Sequence, residues 1–270
     1  MMGKLLDDAD ARPRDERLDL SCVRFHLSAG EALPPALLER FIARFGGEVY
    51  DGIGSAEMFH IYCTNRPGDI KPGSLGKPVE GYDIRILPVD ALGPGAKPVG
   101  VGESGVMWVK GDSVAMGYFE DREKSWATFH GHWCRTGDLF CVDERGYYWF
   151  EGRADDLLKV GGIWVAPIEV EACLSSHASV SSAAIIGFEE EGLTKPKAFV
   201  VVRDAACVAT AQQRASLASE LKDWVKGKLS KHKYPRRVVF VDDLPKNDRG
   251  KIDRKVLKMR EQAGDNPRGE

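Results

Sequence analysis

The sequence predicts a mixed α/β and α+β chain: a βαβ unit, then a β-rich segment, then a small α+β domain. Three observations predict it. Leu37, Leu38, Phe41, Ile42 and Phe45 recur at helical spacing between two short strand-like runs, 23–27 and 48–50. Between 74 and 150, apolar residues alternate with glycine-bearing turns, as in GSLGKPVEGYDIRIL and FCVDERGYYWFEG. After GRADD the texture changes to longer helices and strands, which sets a boundary near 153–156 and domains at 1–153 and 154–270.

The first unit opens with the strand at 23–27. SAGEALPP follows, with Pro34 and Pro35 suited to a helix's first turn, and Gly46 supplies the helix stop. The two strands of a βαβ unit run parallel, and ligands bind beyond their C-terminal ends. The two loops expected there are 28–31 and 51–57. In the β-rich segment, 143–146 is a hairpin signal. In the last domain, 167–175 is a helix opened by proline, and 180–188 and 198–202 are strands. Thr210 with Gln213 makes a capping box for a long helix whose apolar face is Leu217, Leu221, Trp224, Val225 and Leu229. A strand at 238–241 closes the domain, and the last seven residues read as a frayed tail.

Composition narrows the function classes. Apolar residues at 43% and charged residues at 29% suit a soluble chain long enough to bury a full core. A net charge of −3 gives no global pull toward nucleic acid or membrane. The basic stretch 226–260 is interrupted by Asp242, Asp243, Asp248 and Asp253 and reads as a solvated face. The six cysteines form no close pair and read as reduced thiols, and the N-terminus is too acidic for a signal peptide. A cytoplasmic protein is expected.

Five segments carry chemistry-like residues: SAGE (28–31), DGIGSAE (51–57), RTGDL (135–139), GRADDLLKVGGIWVAPIEVE (152–171) and PKNDRGKIDR (245–254). Taken singly, each has an ordinary explanation. Glu57 reads as a solvated loop acid, Asp138 as a turn cap, Arg153 with Asp155 or Asp156 as a surface ion pair, and Lys251 as a solvated lysine.

In this order and spacing they resemble the adenylate-forming superfamily of acyl-CoA synthetases, luciferases and peptide-synthetase adenylation domains. DGIGSAEMFHIY and KVGGIWVAPIEVE resemble, more narrowly, its benzoate–CoA ligase branch. The resemblance implies the back part of a large adenylation domain followed by a small mobile C-terminal domain. It implies an AMP-forming ligase that joins an aromatic acid to ATP and then to coenzyme A, with Mg2+. Gly30, Glu31 and Ala32 match one side of the adenine site, and Asp51, Gly52 and Ile53 the other. Ser55 and Ala56 match the phosphate-facing positions, and Glu57 the magnesium ligand, a hard oxygen suited to that ion. Asp138 and Arg153 match the ribose grip, and Lys251 the lysine that stabilises charge during adenylation. Asp155 matches the hinge, Lys159, Gly161 and Gly162 the thioester step, and His60 and Ile61 the acyl pocket. For His60 an ordinary buried strand at 59–62 is the competing reading.

Three departures stand out. Ala56 replaces the usual Thr or Ser, a loss of roughly 1.5–3 kcal/mol if a hydrogen bond to phosphate goes with it. The family's Gly/Ser/Thr-rich phosphate loop ending in Pro-Lys-Gly is missing, which implies a truncated gene, a split gene or a misassigned start, with exposed sheet edges. The alternative function is then a non-catalytic remnant, or a subunit completed by a partner carrying the N-terminal half. Third, HGHWC at 130–134 would put His130, His132 and Cys134 on one face of an extended strand, a cramped set for zinc.

Overall fold

Helix α1 (Met2–Ala11) precedes a parallel pair of strands, β1 (His26–Ser28) and β2 (Val49–Gly54), joined through helix α2 (Pro35–Phe45). This computed structural model describes residues 2–13, 18–30, 33, 35–247 and 252–263. The register sets Ser28 opposite Asp51. The βαβ arrangement is the expected one, but β1 begins three residues later than the apolar run, and Val23 and Phe25 lie outside it. Gly46, at φ 72, donates its N–H to Ile42 O at 2.8 Å and closes α2, since a left-handed residue is needed there. Leu38, Phe41, Val49 and Leu6 of α1 make the small core of this corner. The helix α1 carries no signal in the sequence reading beyond its acidic texture.

Beyond Ser28, β2 changes partner. Its last residues pair antiparallel with β3 (Ile61–Thr64), which pairs with β4 (Lys77–Pro78). A second sheet follows in the order β5-β6-β8-β7, with β9 on β8. Its strands are β5 (Asp83–Leu87), β6 (Gly105–Lys110), β7 (Phe129–His130), β8 (Trp133–Val142) and β9 (Tyr148–Arg153). Met58, Tyr62, Cys63, Met107, Val109, Cys134 and Phe140 join both sheets in one core. The 74–150 stretch is not wholly β. Helix α3 (Arg122–Thr128) interrupts it, opened by Asp121, whose side chain accepts from Lys124 N–H. The HGHWC run is not an extended strand either. It is the β7–β8 turn, with Gly131 at φ 64, His130 stacked near Trp108 at 4.9 Å, Cys134 buried and His132 exposed. Among the described residues no group of three or more His, Cys, Asp or Glu is placed to hold a metal.

The chain divides into two compact units, Met1–Glu151 and Gly152–Glu270. The second contains a two-stranded ribbon, β10 (Leu158–Val160) with β11 (Ile163–Val165), then helix α4 (Pro167–Ser175). Strands β12 (Val180–Glu190) and β13 (Leu193–Val202) are antiparallel, and β14 (Arg237–Phe240) runs parallel to β13 after helix α5 (Ala211–Lys228). The capping box at Thr210 and Gln213 opens α5 as expected. Helix α6 (Arg254–Gln262) ends the described chain, and the predicted tail lies outside the described residues. Strand alternation splits the core in two. Ala183, Ile185, Ala198 and Val200 pack with residues of α4 and α5, while Ala184, Ile186 and Phe199 pack with Leu257 of α6.

Candidate functional site

The segment from Asp51 to Glu57 is built by β2 and a single 3-10 turn, Ala56–Met58. Residues 51–54 are not the expected free loop but the end of β2. Its glycines are required by β3. A Cβ on Gly52 would stand 2.7 Å from the Thr64 side chain, and one on Gly54 2.5 Å from the His60 carbonyl oxygen. Asp51 is fixed from behind, its carbonyl oxygen accepting Asn65 N–H and Asn65 Nδ2, each at 3.0 Å. Burial raises the Asp51 pKa, against the opposing pull of the Ser28 hydroxyl and the Gly52 and Leu33 amides. Asp51 Oδ1 is nonetheless a buried atom without a partner among the described residues.

Ser55 stands before the turn with its Oγ buried and making no hydrogen bond of normal geometry, although the hydroxyl is near enough to help lower the pKa of Glu57. Ala56 is exposed, so the hydroxyl-less position faces outward while the neighbouring hydroxyl faces inward. Glu57 is half-buried. Burial pulls its pKa up, but the Tyr118 phenol, its own backbone, Ser55 and the Lys124 charge outweigh that and hold it below the usual carboxylate value. Tyr118 OH donates to Glu57 Oε1 at 2.7 Å. Burial first, and then this same contact, push the phenol up to about 12.

Asp138 lies in β8, its N–H bonded to Thr136 Oγ1 at 3.1 Å. Asp138 and Glu57 act on the same two buried groups. Burial first, then these carboxylates, raise the pKa of Tyr62, and the same combination pushes the Cys134 thiol to about 12. Tyr62 OH is buried and unpartnered among the described residues. Glu57, with Ser55 beside it, and Asp138 thus stand at the packed joint of the two sheets, while Asp51 faces Ser28 of β1. His60 is exposed and Ile61 half-buried, so the alternative of a buried strand at 59–62 does not hold for His60. Phe59, at φ 67, is 83% exposed and turns the chain before β3 begins.

Gly30 follows β1 at φ 89, and Ile53 is half-buried in β2. Glu31, Ala32 and Lys251 lie outside the described residues. Arg153 belongs to the second unit, where its guanidinium reaches Asp155 Oδ2 at 3.4 Å on the surface. Lys159 is on β10, its ammonium 5.3 Å from the Trp164 ring. Gly161 and Gly162 form the two-residue turn of the ribbon, at φ 57 and 84. A Cβ there meets nothing within 4 Å, so backbone conformation rather than space demands glycine. The sequence reading missed Tyr118, Lys124, Ser113 and Tyr62. An aromatic 61 residues from Glu57 gives no local signal of contact.

The AMP-binding enzyme model matches residues 1–119, and the AMP-binding enzyme C-terminal domain model matches 169–251. A benzoate–CoA ligase of Thauera aromatica is 47% identical over 232 residues, 86% of this chain and 42% of the relative. A 4-hydroxybenzoate–CoA/benzoate–CoA ligase of Rhodopseudomonas palustris is 41% identical over 93% of this chain and 45% of its own length. The crystal structure of a benzoate CoA ligase from Burkholderia xenovorans superposes with a TM-score of 0.75 at 43% identity, covering 95% of this chain and 49% of that one. An o-succinylbenzoate coenzyme A synthetase from Bacillus subtilis, solved with ATP and a magnesium ion, gives 0.73 at 30% identity, covering 95% and 49%. The chain spans less than half the length of the curated relatives it matches.

Proposed function

The chain belongs to the AMP-binding enzyme family, and from that premise we propose that it acts in an AMP-forming ligation of an aromatic acid such as benzoate to coenzyme A. The likeness to benzoate–CoA ligases across both units carries this reading. In the first step the acid's carboxylate displaces pyrophosphate from ATP to give an acyl-adenylate. In the second, the thiol of coenzyme A displaces AMP and gives up its proton.

The donor set suits a magnesium ion shared with phosphates: one ionised, half-buried carboxylate, Glu57, with a buried hydroxyl at Ser55 beside it. When bound, the ion supplies positive charge against the phosphates. Asp51, Gly52 and Ile53 line the base, with Gly30, Glu31 and Ala32 opposite. Asp138 accepts from the ribose hydroxyls and Arg153 donates to the same sugar. Lys251 neutralises charge where the acid meets the α-phosphate. Residues 154–270 turn about Asp155 between the two steps, bringing Lys159, Gly161 and Gly162 to the thiol channel. His60 and Ile61 line the acyl pocket. The thiols, all free, and the use of ATP and coenzyme A suit the cytoplasm. Among the described residues no helix is long and apolar enough to cross a membrane.

A second reading has a separate polypeptide supply the phosphate loop. The exposed apolar side chains of Val23, Phe25 and Leu27 at the β1 edge support it.

Assaying the half-reactions separately tests the proposal. The chain should form benzoyl-adenylate from benzoate and ATP, or do so once the complementing half is supplied. Lys251→Ala should abolish that step and spare thioester formation from added benzoyl-adenylate. Asp155→Pro should do the reverse. Equal loss of both steps in Lys251→Ala would remove its assigned role, and no adenylate under either condition would remove the activity.

A further inference from the structure

Resting on the reading of Glu57 as a cation ligand, we propose that Tyr118 is the positioning residue for that carboxylate. It is one member of a three-point grip by residues 113–118 on the Ala56–Met58 turn. The grip holds backbone and side chain at once. Ala115 N–H donates to the Glu57 carbonyl oxygen at 2.8 Å, and Ser113 Oγ donates to the Met58 carbonyl oxygen at 2.8 Å. Tyr118 OH then takes Glu57 Oε1 at 2.7 Å. Ser113 is itself fixed by Tyr82 OH at 2.8 Å.

The turn needs such a grip. It leaves through Phe59 at φ 67 and ψ −34, a positive-φ, γ-turn-like conformation closed by His60 N–H on the Met58 carbonyl oxygen at 2.8 Å, which a bulky side chain adopts only where its surroundings impose it. Tyr118 is equally well held. Its N–H donates to Ser125 Oγ at 2.8 Å, its ring lies 5.3 Å from that of Phe129, and Lys124 Nζ sits 4.2 Å from its centroid. A phenol anchored on three sides fixes the rotamer of the carboxylate it binds.

The consequence is chemical. With Oε1 engaged by the phenol, the carboxylate is held in one orientation, and magnesium takes carboxylates readily through a single oxygen. Tyr118 thereby sets how Glu57 is offered and removes the freedom the side chain would lose on binding. A tyrosine that only filled space would leave metal affinity unchanged when its hydroxyl alone is deleted.

Mn2+ uptake by the full chain, followed by electron paramagnetic resonance with α,β-methylene-ATP present, tests this with Y118F and E57Q beside the wild type. Wild type should take up Mn2+, E57Q should lose it, and Y118F should bind it roughly tenfold more weakly, the scale of one lost hydrogen bond to a charged group. Metal-free nucleotide affinity and melting temperature of Y118F should stay at wild-type values. Should Y118F melt early, S113A, which keeps the phenol and loosens the Met58 carbonyl, replaces it with the same expected direction. Unchanged Mn2+ affinity in the folded variant overturns the role of Tyr118 and leaves the proposed activity standing. Equal uptake by wild type and E57Q, or uptake by neither, overturns the cation role of Glu57 and the inference with it.

Discussion

The three-stranded sheet of the second unit and the parallel pair β1–β2 of the first bury their apolar residues very differently. In the second unit both sheet faces are covered from within the unit: α4 and α5 close one and α6 the other, and Val170, Leu174, Ile185, Leu221 and Val225 are fully buried. In the first, α2 buries Leu38 and Phe41, but Val23, Phe25, Leu27 and Ile42 remain 40–65% exposed. Burial of apolar area is the main favourable term in folding, so stability concentrates in the second unit and in the β-rich core around Met107 and Phe140. The β1 end carries expected site residues such as Gly30 on a lightly packed support. A site need not lie where the chain is most stable.

The largest effect tests the polar anchor of the second unit. Arg254 of α6 holds both oxygens of Glu171 at 2.7 and 2.8 Å and reaches Asp156 at 3.3 Å, while Glu171 also accepts Ile185 N–H at 2.8 Å. Removing one partner of such a pair strands the other, so Glu171→Ala should cost about 3–5 kcal/mol in urea unfolding. A loss below about 1 kcal/mol would show that packing alone holds α6.

Next is Leu221→Ala, which opens a cavity beneath α5 and should cost about 2–5 kcal/mol. By contrast Leu27→Ala, at a position 65% exposed, should change stability by less than about 0.5 kcal/mol. Similar costs at the two sites would show that the two regions are equally well packed. A calorimetric scan that resolves two transitions would separate them, with Leu221→Ala lowering only the one assigned to the second unit.

A smaller effect appears in acid. Lys195 and Arg237, at 2.7 and 2.6 Å, hold the Glu190 pKa below its ordinary 4.5. A lowered carboxylate contributes stability that is complete above its unfolded pKa and lost as pH falls through the folded one. Glu190→Gln should therefore lower stability at neutral pH, flatten the acid limb below about pH 4.5 and leave strongly acid pH nearly unchanged. Asp51 works in the opposite sense. Its raised pKa means stability is lost as pH rises from the ordinary 3.8 through the folded value, and Asp51→Asn should remove that loss.

Much of this was legible in the chain because the deciding interactions are local. The α2 periodicity, the Thr210–Gln213 capping box and the proline-opened α4 are each fixed within a few residues. The misses are non-local or context-made. Helix α3 hides in a polar run whose cap, Asp121, resembles any turn aspartate. Helix α6 depends on Arg254 meeting Glu171, 83 residues away. Nothing local in the sequence shows what crowds the glycines of β2, where the Thr64 side chain and the backbone of His60 and Ile61 leave no room for a Cβ. At the site, Glu57 and Asp138 stood out by motif, whereas Tyr118 and Tyr62 emerge only once two sheets are packed together.

Under the proposed function, residues 51–57 and Asp138 form an adenylate site. Isothermal titration of the chain with a non-hydrolysable benzoyl-adenylate sulfamate tests it most directly. Saturable binding, lost in Asp138→Ala at unchanged melting temperature, is the predicted result. No binding by wild type, or equal binding by the variant, would contradict it.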